Sequence, residues 1–217
     1  MSETVKLTAG DGHELDGYVS RPVGAAIGGL VVVQEAFGVN GHIRSVADGY
    51  AHDGFLAIAP AMFDRVERGV ELGYAGDDLQ KGIALARQVN PDDAVKDMAA
   101  AFEYLRGQGV AKCGVIGYCF GGTMAWLAAT RLDPQAAVGY YGGNITRFAQ
   151  ENPACPVMLH FGSLDKHIPK MALTNYKLRI RMCKCSGMTP TTGSTATIAP
   201  PTTRLRRSWR GNDRWLF

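Results

Sequence analysis

The fold turns on Gly117-Tyr118-Cys119-Phe120-Gly121-Gly122, six residues that follow the apolar run Cys113 to Ile116 and precede a stretch with helical spacing. Small residues on both sides of a central cysteine match the pattern Gly-x-nucleophile-x-Gly. There a reactive side chain sits on a sharp strand-to-helix turn and the backbone folds tightly beneath it. At the start of a helix a thiol also meets the partial positive charge of unpaired N–H groups, which favours thiolate. The competing reading is a buried structural cysteine in a glycine-rich turn.

Working outward, the chain alternates strands with helices. Thr4 to Arg21 reads as two alternating strands joined by a turn at Asp11-Gly12. Gly29 to Gln34 is a continuous apolar, β-branched run, the signature of a parallel strand covered on both faces. A helix is predicted from about His42 to Asp53, then a second buried strand, Phe55 to Pro60. Residues 61–78 carry no clean period and read as a lid or loop. Helices are predicted from about Leu79 to Gln88 and from Pro91 to Arg106, the latter with Asp92 and Asp93 suited to its N-terminus. Strands follow at Cys113–Tyr118, Ala136–Tyr141 and Pro156–Gly162, with a helix after Gly121. This order predicts an α/β fold with a mainly parallel, doubly wound sheet whose chemistry lies beyond the carboxyl ends of its strands.

At 217 residues and 46% hydrophobic content, the chain suits one domain with a sizeable core. Five cysteines are an odd number; only Cys183 and Cys185 are spaced like metal ligands, and no histidine or second pair follows them. A thiol kept reduced is therefore expected, with no metal and no cofactor. No apolar run reaches the length of a membrane span, and the N-terminus lacks a signal-peptide pattern, so a cytoplasmic protein, a monomer away from membranes, is expected. The net charge of +3 divides unevenly. Residues 175–217 hold nine Lys/Arg and one acid, for +8, against −5 for the first 174 residues.

Two further residues belong with Cys119. Glu35 leaves the first central strand at the face where Cys119 emerges, and a carboxylate there is costly without a partner. Asp165 stands in a turn directly after the strand that ends at Gly162, where the acid of a nucleophile–acid–base triad belongs. Taken singly, Glu35 could pair with an arginine and Asp165 could cap a turn. Together, the three residues occupy three strand ends.

With Val31 to Asn40, Gly117 to Gly122 and Gly162 to Pro169 in hand, the chain resembles the dienelactone hydrolase (carboxymethylenebutenolidase) family, a cysteine branch of the α/β-hydrolase fold, over residues 1–174. The resemblance implies Cys119 as nucleophile, Asp165 as the acid that orients a histidine, and Glu35 as the group that holds and releases the thiol proton. The backbone N–H groups of Phe120 and Ala36 would form the oxyanion hole. The implied substrate is a small lactone or ester of the kind met in aromatic-compound breakdown. The family binds a carboxylated substrate through arginines, and Arg68 or Lys81 in the lid region are the candidates here.

The pattern breaks at the histidine. The family's base follows the acid in a segment reading roughly Asp-Ala-x-His-Gly-Phe-Asn. After Asp165 this chain offers only His167, too close in sequence to face both Asp165 and Cys119. His13, His42, His52 and His160 precede the acid, and His160 lies within a strand as a packed residue. A shifted reading frame accounts for the break. When each codon is taken from the last base of one residue and the first two of the next, Met188-Thr189 forces Asp, and the following pairs can spell Ala-Asp-His-Gly-Phe-Asn. The expectation is a domain over residues 1–174 and an aberrant, irregular basic tail over 175–217, with the final strand and helix missing. The ancestral activity is then a hydrolase, slow in this chain for want of its base. The alternatives are a non-catalytic protein whose basic tail meets an acidic partner, a nucleic acid being the less expected, and a broader esterase or thioesterase.

Overall fold

The computed structural model describes residues 1–162 and 180–183. Its eight strands are β1 (Ser2–Thr8), β2 (Glu14–Ser20), β3 (Gly28–Val33), β4 (Phe55–Pro60), β5 (Cys113–Tyr118), β6 (Ala137–Tyr140), β7 (Val157–Gly162) and β8 (Ile180–Cys183). Four helices lie among them: α1 (Gly41–His52), α2 (Gly76–Gln88), α3 (Pro91–Gly107) and α4 (Phe120–Arg131). All strands join one sheet in the order β1-β2-β4-β3-β5-β6-β7-β8. The β1–β2 and β2–β4 pairs are antiparallel and the other five are parallel.

The strands predicted from continuous apolar runs are the central ones. Every residue of β3 and β5 is buried, because helices cover both faces. On one face, Val31, Val33 and Val115 pack with Met98, Phe102 and Leu105 of α3 and with Trp126 of α4. On the other, Leu30, Val32 and Ile116 pack with Ile43 and Val46 of α1. Helix starts follow local chemistry: Asn40 caps α1 by accepting from the Ile43 N–H at 3.2 Å, and Asn90 caps α3 with Pro91 in its first turn.

Two expectations change. α4 begins at Phe120 rather than after Gly121, because Cys119 itself is the residue from which the helix departs. A strand also exists where the last one was expected to be missing: residues 180–183 pair in parallel with β7, Ile180 opposite Leu159 and Cys183 opposite Gly162. Four residues offering backbone donors and acceptors to the open edge of β7 suffice for this pairing. The turn carrying Asp165 and His167, and the tail beyond Cys183, lie outside the described residues.

Candidate active site

Cys119 follows β5 with φ +53° and ψ −113°, a conformation that non-glycine residues rarely adopt. It persists because the surroundings leave no alternative. Its N–H donates to the Tyr140 carbonyl at 3.0 Å, and the Gly121 N–H donates to the Gln34 carbonyl at 3.0 Å, so the turn is tied to β6 on one side and to the end of β3 on the other. The glycines are sterically required. A Cβ at Gly117 would stand 1.9 Å from the Gly121 carbonyl oxygen, one at Gly121 2.3 Å from that of Val33, and one at Gly122 2.4 Å from that of Tyr140. The small residues in the motif therefore let three backbone segments touch beneath a half-buried thiol.

Phe120 opens α4, so its N–H has no acceptor within the helix. Its ring packs on Phe63 of the lid, centroid to centroid 5.6 Å. Ala36, the other candidate oxyanion donor, is buried in the loop after β3. The Ala36 carbonyl lies so close to α2 that a Cβ at Gly82 would stand 2.1 Å from its oxygen. Gln34 braces this loop from within. Fully buried, it accepts from the Met62 N–H at 3.1 Å and donates to the Glu35 carbonyl at 3.3 Å, joining the loop to the lid.

Glu35 is 7% exposed, and both carboxylate oxygens have a partner. Tyr74 donates to Oε2 at 2.8 Å, and Tyr141 donates to Oε1 at 3.1 Å. The partners of Glu35 are thus two phenols, and not the arginine that was the alternative reading. Both phenols are held well above the ordinary tyrosine range, first by burial and then by the Glu35 charge; Tyr141 also feels Cys119. Tyr141 pays for its position in backbone strain: its φ is +41°, a cost of roughly 1 kcal/mol or more. The Tyr141 N–H, bonded to the His160 carbonyl at 2.7 Å, helps to fix that conformation.

The model of the dienelactone hydrolase family matches residues 15–184. The chain belongs to that family. It is 31% identical over 174 residues to a carboxymethylenebutenolidase of Pseudomonas putida, covering 78% of this chain and 74% of the relative. It is 28% identical over 177 residues to carboxymethylenebutenolidase 1 of Cupriavidus pinatubonensis, covering 79% and 76%. Among solved structures, a serine α/β-hydrolase without a lid from Xanthomonas campestris superposes with a TM-score of 0.59 at 18% identity, over 84% of this chain and 82% of that one. That likeness concerns the fold, an α/β-hydrolase sheet.

Within this dienelactone hydrolase fold, Glu35, Ala36, Cys119 and Phe120 come together at the carboxyl ends of β3 and β5. Arg68 and Lys81 are both about half exposed and already engaged. Arg68 donates to the Glu14 carbonyl at 2.6 Å and lies 3.7 Å from Asp64; Lys81 pairs with Glu67 at 2.6 Å. His160 stacks on Tyr140 at 4.4 Å, a packed position as expected. Sequence reasoning missed Tyr74, Tyr141 and Gln34. Tyr141 could have been suspected, since it is the first residue past the strand next to the cysteine's own. Among the described residues no three His, Cys, Asp or Glu side chains gather as metal ligands, and no helix is long and apolar enough to cross a membrane.

Proposed function

We propose that this chain is a carboxylic ester hydrolase of the dienelactone hydrolase type, acting through Cys119. The observation that carries the reading is the thiol on a strained, glycine-walled turn at the end of β5, with a buried carboxylate, Glu35, at the end of the adjacent strand. In the proposed reaction Glu35 accepts the thiol proton and the Cys119 sulfur attacks the carbonyl carbon of a lactone or ester. The N–H groups of Phe120 and Ala36 donate to the oxyanion, and the carbon–oxygen bond breaks to leave a thioester, the departing oxygen taking the proton that Glu35 had accepted. Water then attacks the thioester carbon and releases the acid and the thiol. Asp165 is assigned the role of orienting a histidine base, and Arg68 and Lys81 are carried as the cations for a carboxylated substrate, each of which would have to exchange a present partner.

The histidine itself is not at the family's position in this sequence, and the frame reading supplies the reason. Restoring the shifted frame from about Thr174 returns a histidine beyond Asp165. The repaired chain is expected to hydrolyse a dienelactone or an activated ester at least about a hundredfold faster than the present one, the low end of what a general base contributes. Steady-state hydrolysis by both chains, with Cys119→Ala in the repaired one, is the test. Equal rates would sink the frame reading, and activity surviving the alanine would remove Cys119 from its role.

A further inference from the structure

Two side chains that the reaction above does not use hold the Glu35 carboxylate. Tyr74 comes from the lid, 39 residues along the chain, and Tyr141 from the end of β6, 106 residues along. They differ in setting. Tyr141 is half-buried, at the strained corner after β6. Tyr74 is 50% exposed, with its ring against Phe37 at 4.5 Å and edge-on to His42 of α1 at 6.2 Å. Each spends its hydroxyl proton on one oxygen of the same buried carboxylate. Neither hydrogen bond is needed to close a turn or cap a helix, and a strained non-glycine corner persists only where its surroundings over-determine it.

We propose that Tyr141 and Tyr74 are positioning residues for Glu35: two phenol donors that hold its carboxylate in place and so limit how readily it takes the proton from Cys119. This rests on the reading of Cys119 as the nucleophile beside Glu35. The phenols occupy lone pairs that the thiol proton would otherwise use. Hydrogen bonds to a charged acceptor are the strong ones, so the competition is substantial. Among the described residues, the titratable groups around the carboxylate are Cys119 from the elbow, Tyr141 from the end of β6 and Tyr74 from residues 61–75, with His42 of α1 behind the Tyr74 ring. Because one of the two donors is carried by the lid and half exposed, it is the one that a molecule entering the cleft can displace. Tyr141 is the fixed half of the clamp and Tyr74 the removable half.

The test reads the thiol directly. The full chain is alkylated with iodoacetamide at neutral pH, and modification is followed by fragment-ion mass spectrometry, which assigns the label to Cys119 rather than to Cys113 six residues before it or to Cys155, Cys183 or Cys185. Tyr141→Phe is expected to quicken alkylation by about tenfold, the size of one hydrogen bond to a charged group. Tyr74→Phe should quicken it less, because water reaches that hydroxyl. In a Glu35→Gln background the same two substitutions should change the rate by under about twofold, since the acceptor they restrain is gone. An unchanged or slower rate in both phenylalanine variants overturns the proposal. So does an equal quickening in the Glu35→Gln background, the mark of loosened packing. Should Tyr141→Phe fail to fold, Tyr74→Phe with and without Glu35→Gln decides alone. Ester hydrolysis that persists in Cys119→Ala would overturn the nucleophile assignment and leave this alkylation result standing.

Discussion

The elbow at Cys119 and residues 61–75, which touch it through Phe63 on Phe120, are held by different sets of contacts. The elbow is built from main chain against main chain: Gly117, Gly121 and Gly122 bring β5, β3 and β6 so close that no side-chain atom fits between them. Residues 61–75 combine two kinds of support: main-chain contacts, where the Leu72 N–H donates to the Phe37 carbonyl at 2.9 Å and a Cβ at Gly38 would stand 1.8 Å from the Val70 carbonyl oxygen, and side-chain ion pairs. Arg65 reaches Asp97 of α3 at 2.7 Å and Asp11 of the β1–β2 turn at 3.0 Å, while Asp64 accepts from the Asp16 N–H at 2.9 Å. Asp97 is 1% exposed and Arg65 mostly covered, so this is a buried ion pair with one outer member, Asp11. Steric contact fixes a position regardless of pH or charge; an ion network fixes one only while its charges balance. Cys119 sits on the first kind of support, and residues 61–75, which carry Tyr74, rest on both.

The largest expected effect attacks the elbow. Gly121→Ala places a methyl group 2.3 Å and 2.5 Å from two backbone oxygens that cannot both retreat. It should cost about 3 kcal/mol or more in urea unfolding, at or beyond the top of the usual overpacking range. Gly143→Ala, one loop away with open space at its Cβ, should stay within about 0.5 kcal/mol. Similar values for the two would mean that the close approach is not what shapes the turn.

Next comes the lid. Arg65→Met leaves Asp97 buried without its guanidinium and should cost about 3 kcal/mol, while adding Asp97→Leu should recover most of the loss. If the single variant loses under about 1 kcal/mol, the ion pair does not hold the lid and the contrast with the elbow fails.

The smallest effect is a pH dependence. Asp11 is held well below the usual carboxylate range, first by its bond from Arg65 and then by the His13 N–H. A lowered acid stabilises the fold above its unfolded value, near 4, and that contribution drains away as pH falls below it. Asp97 works in the opposite sense. Burial is the largest influence on it and raises it, so its titration favours the fold as pH falls. The melting temperature should therefore drop below about pH 4, and Asp11→Asn should make that decline shallower. A steeper decline in the variant would show that Asp11 does not belong to the network.

The same division explains what the sequence disclosed. The continuous runs of β3, β4 and β5 and the glycines around Cys119 are local signals, and each names its element within a residue or two. Residues 61–75 were legible only as a segment without a period, because their side-chain bonds are long-range: Arg65 to Asp97 spans 32 residues and Tyr74 to Glu35 spans 39. No periodicity encodes such a pair. Burial at Glu35 announced that a partner must exist, and left open whether it would be an arginine or, as found, two phenols. β8 escaped because its four residues take their structure from the edge of β7.

Three rings from three adjacent strands also lie in a column: Tyr118 on Tyr140 at 5.2 Å, and Tyr140 on His160 at 4.4 Å, with the planes 12° and 7° apart. Each ring is the register partner of the next. Sliding any one strand by a single residue would send its ring to the opposite face of the sheet, so the column works as a spirit level across β5, β6 and β7. It keeps level the ends of β5, β6 and β7, from the first two of which Cys119 and Tyr141 set out, so that residues far apart in the chain start from a common height.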